Sequence, residues 1–561
     1  MADESGGTGD RGPAQDFSAP GQRPTWLPSA GEMLAIVLVF AATAAWPVPD
    51  VNEAVYLTKA RHAADPDWAA GDFFLETPDA HGVFYVLFGP LAAALPLAEA
   101  AWLGRVLGWL ALAVGFRHAV LPVLGGPGMR GVAARIVAAA LFALATRTTT
   151  AAGEWVLGGC EAKVFAWAGV LAGVGEIARG RLAGAVLLCG AATAAHPIVG
   201  GWGLVAAVLA DLMERLSGRD SQRAAGFSRN GLRTGMTGAT ALMVAGGLAL
   251  ALLGVVPALG LSAGVAAADK AVAVRTYVAE RLSHHLRPFA FAEPLVARHL
   301  LAILVWWLLT RLERPTAARR RVHRFTLAAL GISLAGWLLA CLEPFAPTTV
   351  LGLLRFYWFR LADIMVPFSL AVTAAAVWED DAACDRLLPG RRRLIQAGLV
   401  LLLALDLAAQ RSHWPLPGAT VSPRADVHVN APAWADICDW VTEHTPPGAR
   451  FLTPRGSASF TWRTGRPEVV SWKNSPQDAA SLVEWRRRII DCFSRDGRLA
   501  DLERSTATLG MERLRDVAER YAAEFAIVPA NVVGLEALPF PRLHGNAGYV
   551  VLDLRGASGT P

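Results

Sequence analysis

Charge is scarce in this chain. Only 18% of its 561 residues are Asp, Glu, Lys or Arg, against about 25% in soluble domains. With 54% hydrophobic residues and a mean hydropathy of +0.37, that scarcity excludes an ordinary water-soluble globule. Lysine is nearly absent: of 52 basic residues, all but Lys59, Lys163, Lys270 and Lys473 are arginines. The six cysteines are scattered. No C-x-x-C, H-x-x-x-H or Walker loop is present, which removes zinc frameworks and P-loop phosphate sites. Cys438 and Cys492 read as two buried free thiols, with a disulfide as the alternative. No internal repeat is evident.

What the chain does have is long apolar runs, recurring from residue 33 to residue 410. They define a polytopic α-helical membrane protein. Arginines cluster at Arg179–Arg181, from Arg215 and Arg219 through Arg233, from Arg311 to Arg324, and at Arg391–Arg393. Each cluster lies between apolar segments, so these runs are topology signals and imply no nucleic-acid partner. The positive-inside rule places them in the cytoplasm. Crossings are then expected at about 33–48, 101–117, 131–147, 162–178, 182–196, 198–213, 237–260, 297–312, 325–342, 361–378 and 393–410. That is about eleven spans in the inner membrane, N-terminus inside. Segment 82–97 does not fit as a twelfth and reads as a juxtamembrane or re-entrant helix.

Three regions follow. Residues 1–28 are polar, Gly/Pro-rich and aperiodic, and read as a disordered cytoplasmic tail. Residues 29–410 form the multi-pass region. Residues 411–561 are more polar, with strands expected at Arg450–Leu452, Glu468–Trp472, Phe525–Val528 and Tyr549–Leu552. Helices are expected at Pro432–Thr442, Asp478–Phe493 and Met511–Ala523. That alternation describes an extracytoplasmic α/β domain.

Function is most legible in the loop 49–81. Directly after the first apolar segment come Asp50, Asn52 and Glu53, then Asp65, Asp67, Asp72, Glu76 and Asp79. Carboxylates beside a membrane span are costly unless they face water, a cation or a substrate. On the expected path other polar groups gather at the same outer face: Lys59, His81, Arg105, Glu161, Lys163, His196, Arg355, Arg360 and Asp363. Asp65, Asp67 and Asp72 sit in turn-like sequence and read as caps.

This order (a span, an outer acidic loop, a juxtamembrane helix, many spans and an outer α/β domain) resembles the GT-C class of integral-membrane glycosyltransferases. More closely, NEAVYLTKARHAADPDWAAGDFFLETPDAHGVFY and VSWKNSPQD…EWRRRI resemble an uncharacterised family of bacterial multi-pass membrane proteins. The GT-C resemblance implies transfer of a sugar from a polyprenyl-phosphate donor to an acceptor on the outer face. Membrane lipids and the lipid-linked donor would be its partners; the acceptor is undetermined. Glu53 would be the catalytic base, with Asp79 next in line. Asn52, Lys59, His81, Arg105, Glu161, Lys163, His196, Arg355, Arg360 and Asp363 would bind substrate. Asn52-Glu53 stands where the class carries an acidic pair, so a divalent cation is a candidate cofactor on one carboxylate fewer. A transporter or flippase of a lipid-linked or polar substrate, or a non-catalytic envelope scaffold, is the alternative.

Overall fold

The computed structural model of the protein describes residues 30–126, 128–224 and 237–555. The tail 1–28 and most of the stretch from Arg219 to Arg233 lie outside the described residues. Among the described residues, eight helices are long and apolar enough to cross a bilayer: Leu97–Val120, Gly128–Thr148, Pro197–Ser217, Gly238–Gly260, Glu293–Thr310, Ala317–Ala340, Arg360–Glu379 and Arg392–His413. The protein is thus a multi-pass membrane protein. The other three segments expected to cross are the shorter helices Ala30–Ala44, Ala162–Ala178 and Leu182–Ala195. Segment 82–97 contains the 13-residue helix Gly82–Ala94, which is interrupted by Pro90. At 1.5 Å per residue it rises about 20 Å, short of a bilayer core of about 30 Å.

Burial sorts the helices. Beyond Arg360 and Asp363 in its first turn, Arg360–Glu379 is largely apolar, and 83% of its apolar stretch is buried, against only 17% for Gly238–Gly260 and 11% for Arg392–His413. A helix apolar on every face belongs inside a bundle, and the leucines left exposed on the outer helices suit lipid. Phe40, Phe116, Phe142 and Phe368 lock four helices together, with ring centroids 5.5–6.5 Å apart. Gly190 and Gly247 let two helices touch backbone to backbone: a Cβ on Gly190 would lie 2.0 Å from the Gly247 carbonyl oxygen. Close approach of this kind supplies packing where no hydrophobic drive between helices exists.

The two ends of the bundle differ. At one end the arginine clusters meet acidic partners: Arg314 pairs with Asp380, Arg392 with Asp381, and Arg321 with Glu214. At the other end of the helix Arg360–Glu379, about 30 Å away by helical rise, sits the C-terminal domain.

That domain holds a four-stranded mixed sheet in the order β1 (Phe451–Leu452), β2 (Phe525–Pro529), β4 (Tyr549–Asp553), β3 (Arg542–Gly545). β1 and β2 are parallel and the remaining pairs antiparallel. The two-residue alternation of a strand gives the sheet two cores. Phe525 and Ile527 face the helix Ala431–His444, while Ala526 and Val528 face the helices Ala479–Phe493 and Met511–Tyr521. Cys438 lies in the first core and Cys492 in the second, so the sheet separates them, and both are free. The expected strand Glu468–Trp472 is reduced to a single bridge, Phe451 to Glu468, because the chain turns away after one residue. β3, polar and largely exposed, carries none of the apolar alternation that would have flagged it.

The domain is clamped to the bundle. Arg424 grips the fully buried Asp50 through two hydrogen bonds of 2.6 and 2.5 Å. Asp72 accepts from Thr461 Oγ1 at 3.1 Å and from the Glu468 amide at 3.0 Å. This buried meeting of two carboxylates is poised to titrate. Burial, and then the Asp72 charge, push the Glu468 carboxyl up to about 8. Its folded value is raised, so its contribution to docking is fullest below the unfolded value of 4.5 and is lost as pH climbs toward 8. Thermal stability of the purified protein should therefore fall between pH 5 and pH 8, and Glu468→Gln should flatten that slope. An unchanged slope in the variant would exclude this carboxylate as its source.

Candidate functional site

The site is assembled from turns held by buried ion pairs. Glu53, in the first turn of the helix Glu53–Ala64, is fully buried with Arg105. The guanidinium donates Nε to Oε1 and Nη2 to Oε2, each at 2.6 Å. The same carboxylate accepts the Asp50 amide at 2.7 Å and the Cys160 amide at 2.8 Å. Arg105 also donates to the Trp46 carbonyl. Glycine is required opposite, since a Cβ on Gly159 would lie 2.5 Å from the Glu53 carboxyl.

The turn 149–161 is held from a second direction. Asp363 accepts the amides of Ala151, Ala152 and Glu154 at 2.7, 2.9 and 3.2 Å. Glu154 is thereby placed between two cations, Lys163 Nζ at 3.2 Å and Arg360 Nε at 2.5 Å. Burial opposes its ionisation, but Arg360 and Lys163 outweigh burial and hold its carboxyl below the usual range. Lys163 also sits 3.0 Å from the Trp155 ring centroid and 3.7 Å from Glu161. Glu161 accepts from Asn52 Nδ2 at 3.0 Å, and burial raises its carboxyl despite Lys163.

A third group comes from the end of the acidic loop. His81 Nδ1 meets Asp79 Oδ1 at 2.6 Å, and the His81 amide donates to the same oxygen. Lys59 approaches the other carboxylate oxygen at 4.0 Å while donating to Thr77. Burial would raise the Asp79 carboxyl, but His81 and Lys59 prevail and hold it well below its ordinary value. With Nδ1 engaged by the carboxylate, His81 Nε2 is left toward Tyr56 OH at 3.5 Å, beside the His196 ring at 4.8 Å. Gln477, from the C-terminal domain, reaches the Ala80 amide and the His81 ring.

These groups surround one cavity of about 840 Å³. Among the described residues its wall carries Lys163, Lys270, Arg281, Arg355, Arg360 and Lys473, against the carboxylates Asp79 and Glu154. Lys270, Arg281, Arg355 and Lys473 have no carboxylate partner among the described residues. Arg281 is delivered by the π-helical turn Thr276–Arg281, a distortion that recurs at functional sites; it donates to the Trp472 carbonyl at 3.1 Å. Burial, and then Arg281, bring the Lys473 ammonium down to about 8. The opposite wall is apolar, made by Ile198, Trp202 and Val205 on one helix and Val255, Ala258 and Leu259 on another. Val205 and Leu259 are also exposed on the bundle surface, so the slot leads to its lipid-facing side.

Of the residues expected from sequence, Asn52, Asp79, His81, Lys163, His196, Arg355 and Arg360 line this cavity. Glu53, Lys59, Arg105, Glu161 and Asp363 do not; they stand behind the wall and hold it. Lys270, Arg281, Lys473, Gln477 and Tyr277 were not singled out as site residues, although two of them, Lys270 and Lys473, are among the four lysines. A divalent cation does not fit the carboxylates present. Asp50 is committed to Arg424 and Glu53 to Arg105, and Lys163 already stands between Glu154 and Glu161. No three His, Cys, Asp or Glu side chains gather as a metal needs among the described residues.

Residues 432–492 match a domain of unknown function, DUF6798. No curated protein matches the chain. Among solved structures, 89% of the chain is similar to the oligosaccharyltransferase of Archaeoglobus fulgidus in complex with Zn and sulfate, at 12% identity and TM-score 0.39, covering 68% of that chain. It is similar over 94% of its length to the arabinofuranosyltransferase AftD from Mycobacteria, at 15% identity and TM-score 0.43, spanning 41% of that protein. A third similarity, over 89% of the chain, is to the archaeal oligosaccharyltransferase AglB from A. fulgidus with an inhibitory peptide and a dolichol-phosphate. Its identity is 12% and its TM-score 0.37, with 69% of that chain covered.

The burial of the Glu53–Arg105 pair makes a stability prediction. Glu53→Gln leaves a buried guanidinium without its counter-charge and should cost about 3–5 kcal/mol, read as a fall in melting temperature in detergent. Asp79→Asn, at the cavity wall, should cost less. A Glu53→Gln protein that melts with the wild type would contradict this structural role.

Proposed function

We propose that the protein is a glycosyltransferase that takes a sugar from a polyprenyl-phosphate donor and passes it to an acceptor hydroxyl on the outer membrane face. The observation that carries this reading is the two-sided cavity: a wall of six cations with two carboxylates, continuous with an apolar slot that leads to the lipid-facing surface. A lipid phosphate is anionic at its head and apolar along its chain, and it fits both halves at once. The separation of the arginine-rich end from the cavity end supports the cavity facing outward.

In this reading the acceptor oxygen attacks the anomeric carbon and the bond from that carbon to the phosphate oxygen breaks. The phosphate departs with the bonding pair and stays on the lipid. Arg355, Arg360, Lys270 and Lys473 offset its growing charge, as cations fixed in place before the reaction do. The hydroxyl proton passes to His81 Nε2, with Asp79 holding the ring in the tautomer that can accept it. Glu53, committed on both oxygens to Arg105, positions the loop rather than moving the proton. Asn52 and His196 stand at the wall to meet the sugar.

Transfer from a panel of labelled polyprenyl-phosphate sugars tests the reading. His81→Gln should lower kcat by about 10²–10⁴-fold with little change in KM; full transfer by this variant would move the base elsewhere. Transport assays in vesicles give the contrary result its meaning: movement of the lipid-linked sugar without transfer would favour a flippase.

Lys473 gives a pH signature. Its ammonium is charged below about 8, so donor affinity should hold near neutrality and fall by roughly tenfold between pH 7 and pH 9 as the charge is lost. Lys473→Arg should abolish the fall and Lys473→Met should be weak throughout. A wild-type affinity that stays level to pH 9 would remove Lys473 from the phosphate site.

A further inference from the structure

The C-terminal domain contains a second cavity, of about 800 Å³, that the first does not explain. It lies at the edge of the sheet where the parallel strands β1 and β2 end and β4 begins, with Pro454, Pro529 and Tyr549 on its wall. Crevices at the carboxyl ends of parallel strands are where α/β sheets place ligands.

Its wall is cationic and carries no carboxylate among the described residues. Arg455 and Arg504 stand side by side, the Arg455 amide donating to the Arg504 carbonyl at 2.9 Å. Arg455 spends one donor, Nε, on the Glu503 carbonyl at 3.0 Å. The Arg504 guanidinium has no partner among the described residues. Burial, and then the neighbouring Arg504, push Arg455 below its ordinary value. His428 and Asn531 add polar groups with no side-chain partner among the described residues, and Trp472 adds an aromatic ring. Glycine keeps the crevice tight: a Cβ on Gly456 would lie 2.8 Å from His428 Cβ.

We infer that this cavity binds an anionic saccharide unit, a sugar ring carrying a carboxylate or a phosphate. The paired guanidiniums meet the charged group, as their planar forks do for either oxyanion. Asn531 and His428 meet ring hydroxyls, and Trp472 offers the aromatic surface. The two cavities share a partition, since Trp472 lines the second and Lys473 the first. A saccharide held in the second therefore ends beside the first. Its being the acceptor rests on the transferase reading; its binding does not.

The test uses the full chain in nanodiscs and ligand-observed NMR titration with glucuronate, glucose 6-phosphate, glucose and inorganic phosphate. Glucuronate or glucose 6-phosphate should bind saturably, and whichever is tighter identifies the anionic group. Glucose and phosphate alone should each bind at least about tenfold more weakly, since each lacks half of the contacts. Arg504→Glu, an exposed position that leaves the core intact, should weaken binding at least about tenfold, as should Arg455→Gln with Arg504→Gln. Arg355→Gln, in the first cavity, should leave it unchanged. Binding that survives both Arg504 variants, binding lost only in Arg355→Gln, Arg504-dependent phosphate binding as tight as that of the sugars, or no saturable binding of either anionic sugar would each overturn the inference. Loss of transfer in His81→Gln with this binding intact separates the two readings.

Discussion

One buried ion pair fixes the geometry on which the site is built. Glu53 and Arg105 are both shielded from solvent, and a charge taken out of water is tolerated only when paired and hydrogen-bonded. Here the pairing is complete, because each carboxylate oxygen also accepts a backbone amide. Three stretches of chain are drawn to one point: the turn after the first helix, the end of the turn 149–161, and the helix Leu97–Val120. Asp363 does the same for the start of that turn. Glu154, Asn52 and Lys163 owe their positions to these two anchors.

Electrostatics then sets what the cavity can hold. The anchoring carboxylates are neutralised within the protein, so they contribute little field to the cavity. The unpaired cations do contribute, and their half-buried setting screens their charge less than open water would. The sign of the cavity thus follows from which charges are spent on structure and which are left over.

Much of this was legible in the sequence, unevenly. Long apolar runs located every long helix, and short apolar runs located β1, β2 and β4, because burial leaves its mark on composition. β3 escaped because an exposed edge strand leaves none. The acidic loop pointed to the end of the molecule that holds the cavity, and Asp79 and His81 within it line that cavity. Glu53 was legible as important, but its position beside the membrane is the same for a carboxylate that faces substrate and for one that faces Arg105. Only the partner decides, and it lies 52 residues away. Lys270 and Lys473 are instructive in the other direction. Their rarity among arginines was visible, while their convergence depends on long-range folding that local pattern does not encode.

The contact between Gln477 and His81 joins residues 396 positions apart. In a chain made from its N-terminus at about 5–20 residues per second, His81 emerges roughly 20–80 s before the residue that completes its surroundings. Through that interval the helices can insert and pack, yet the cavity lacks one wall. The cavity is therefore completed last, by a segment synthesised after the helix Arg392–His413, and a truncated or stalled chain would populate the membrane as an open, unfinished bundle.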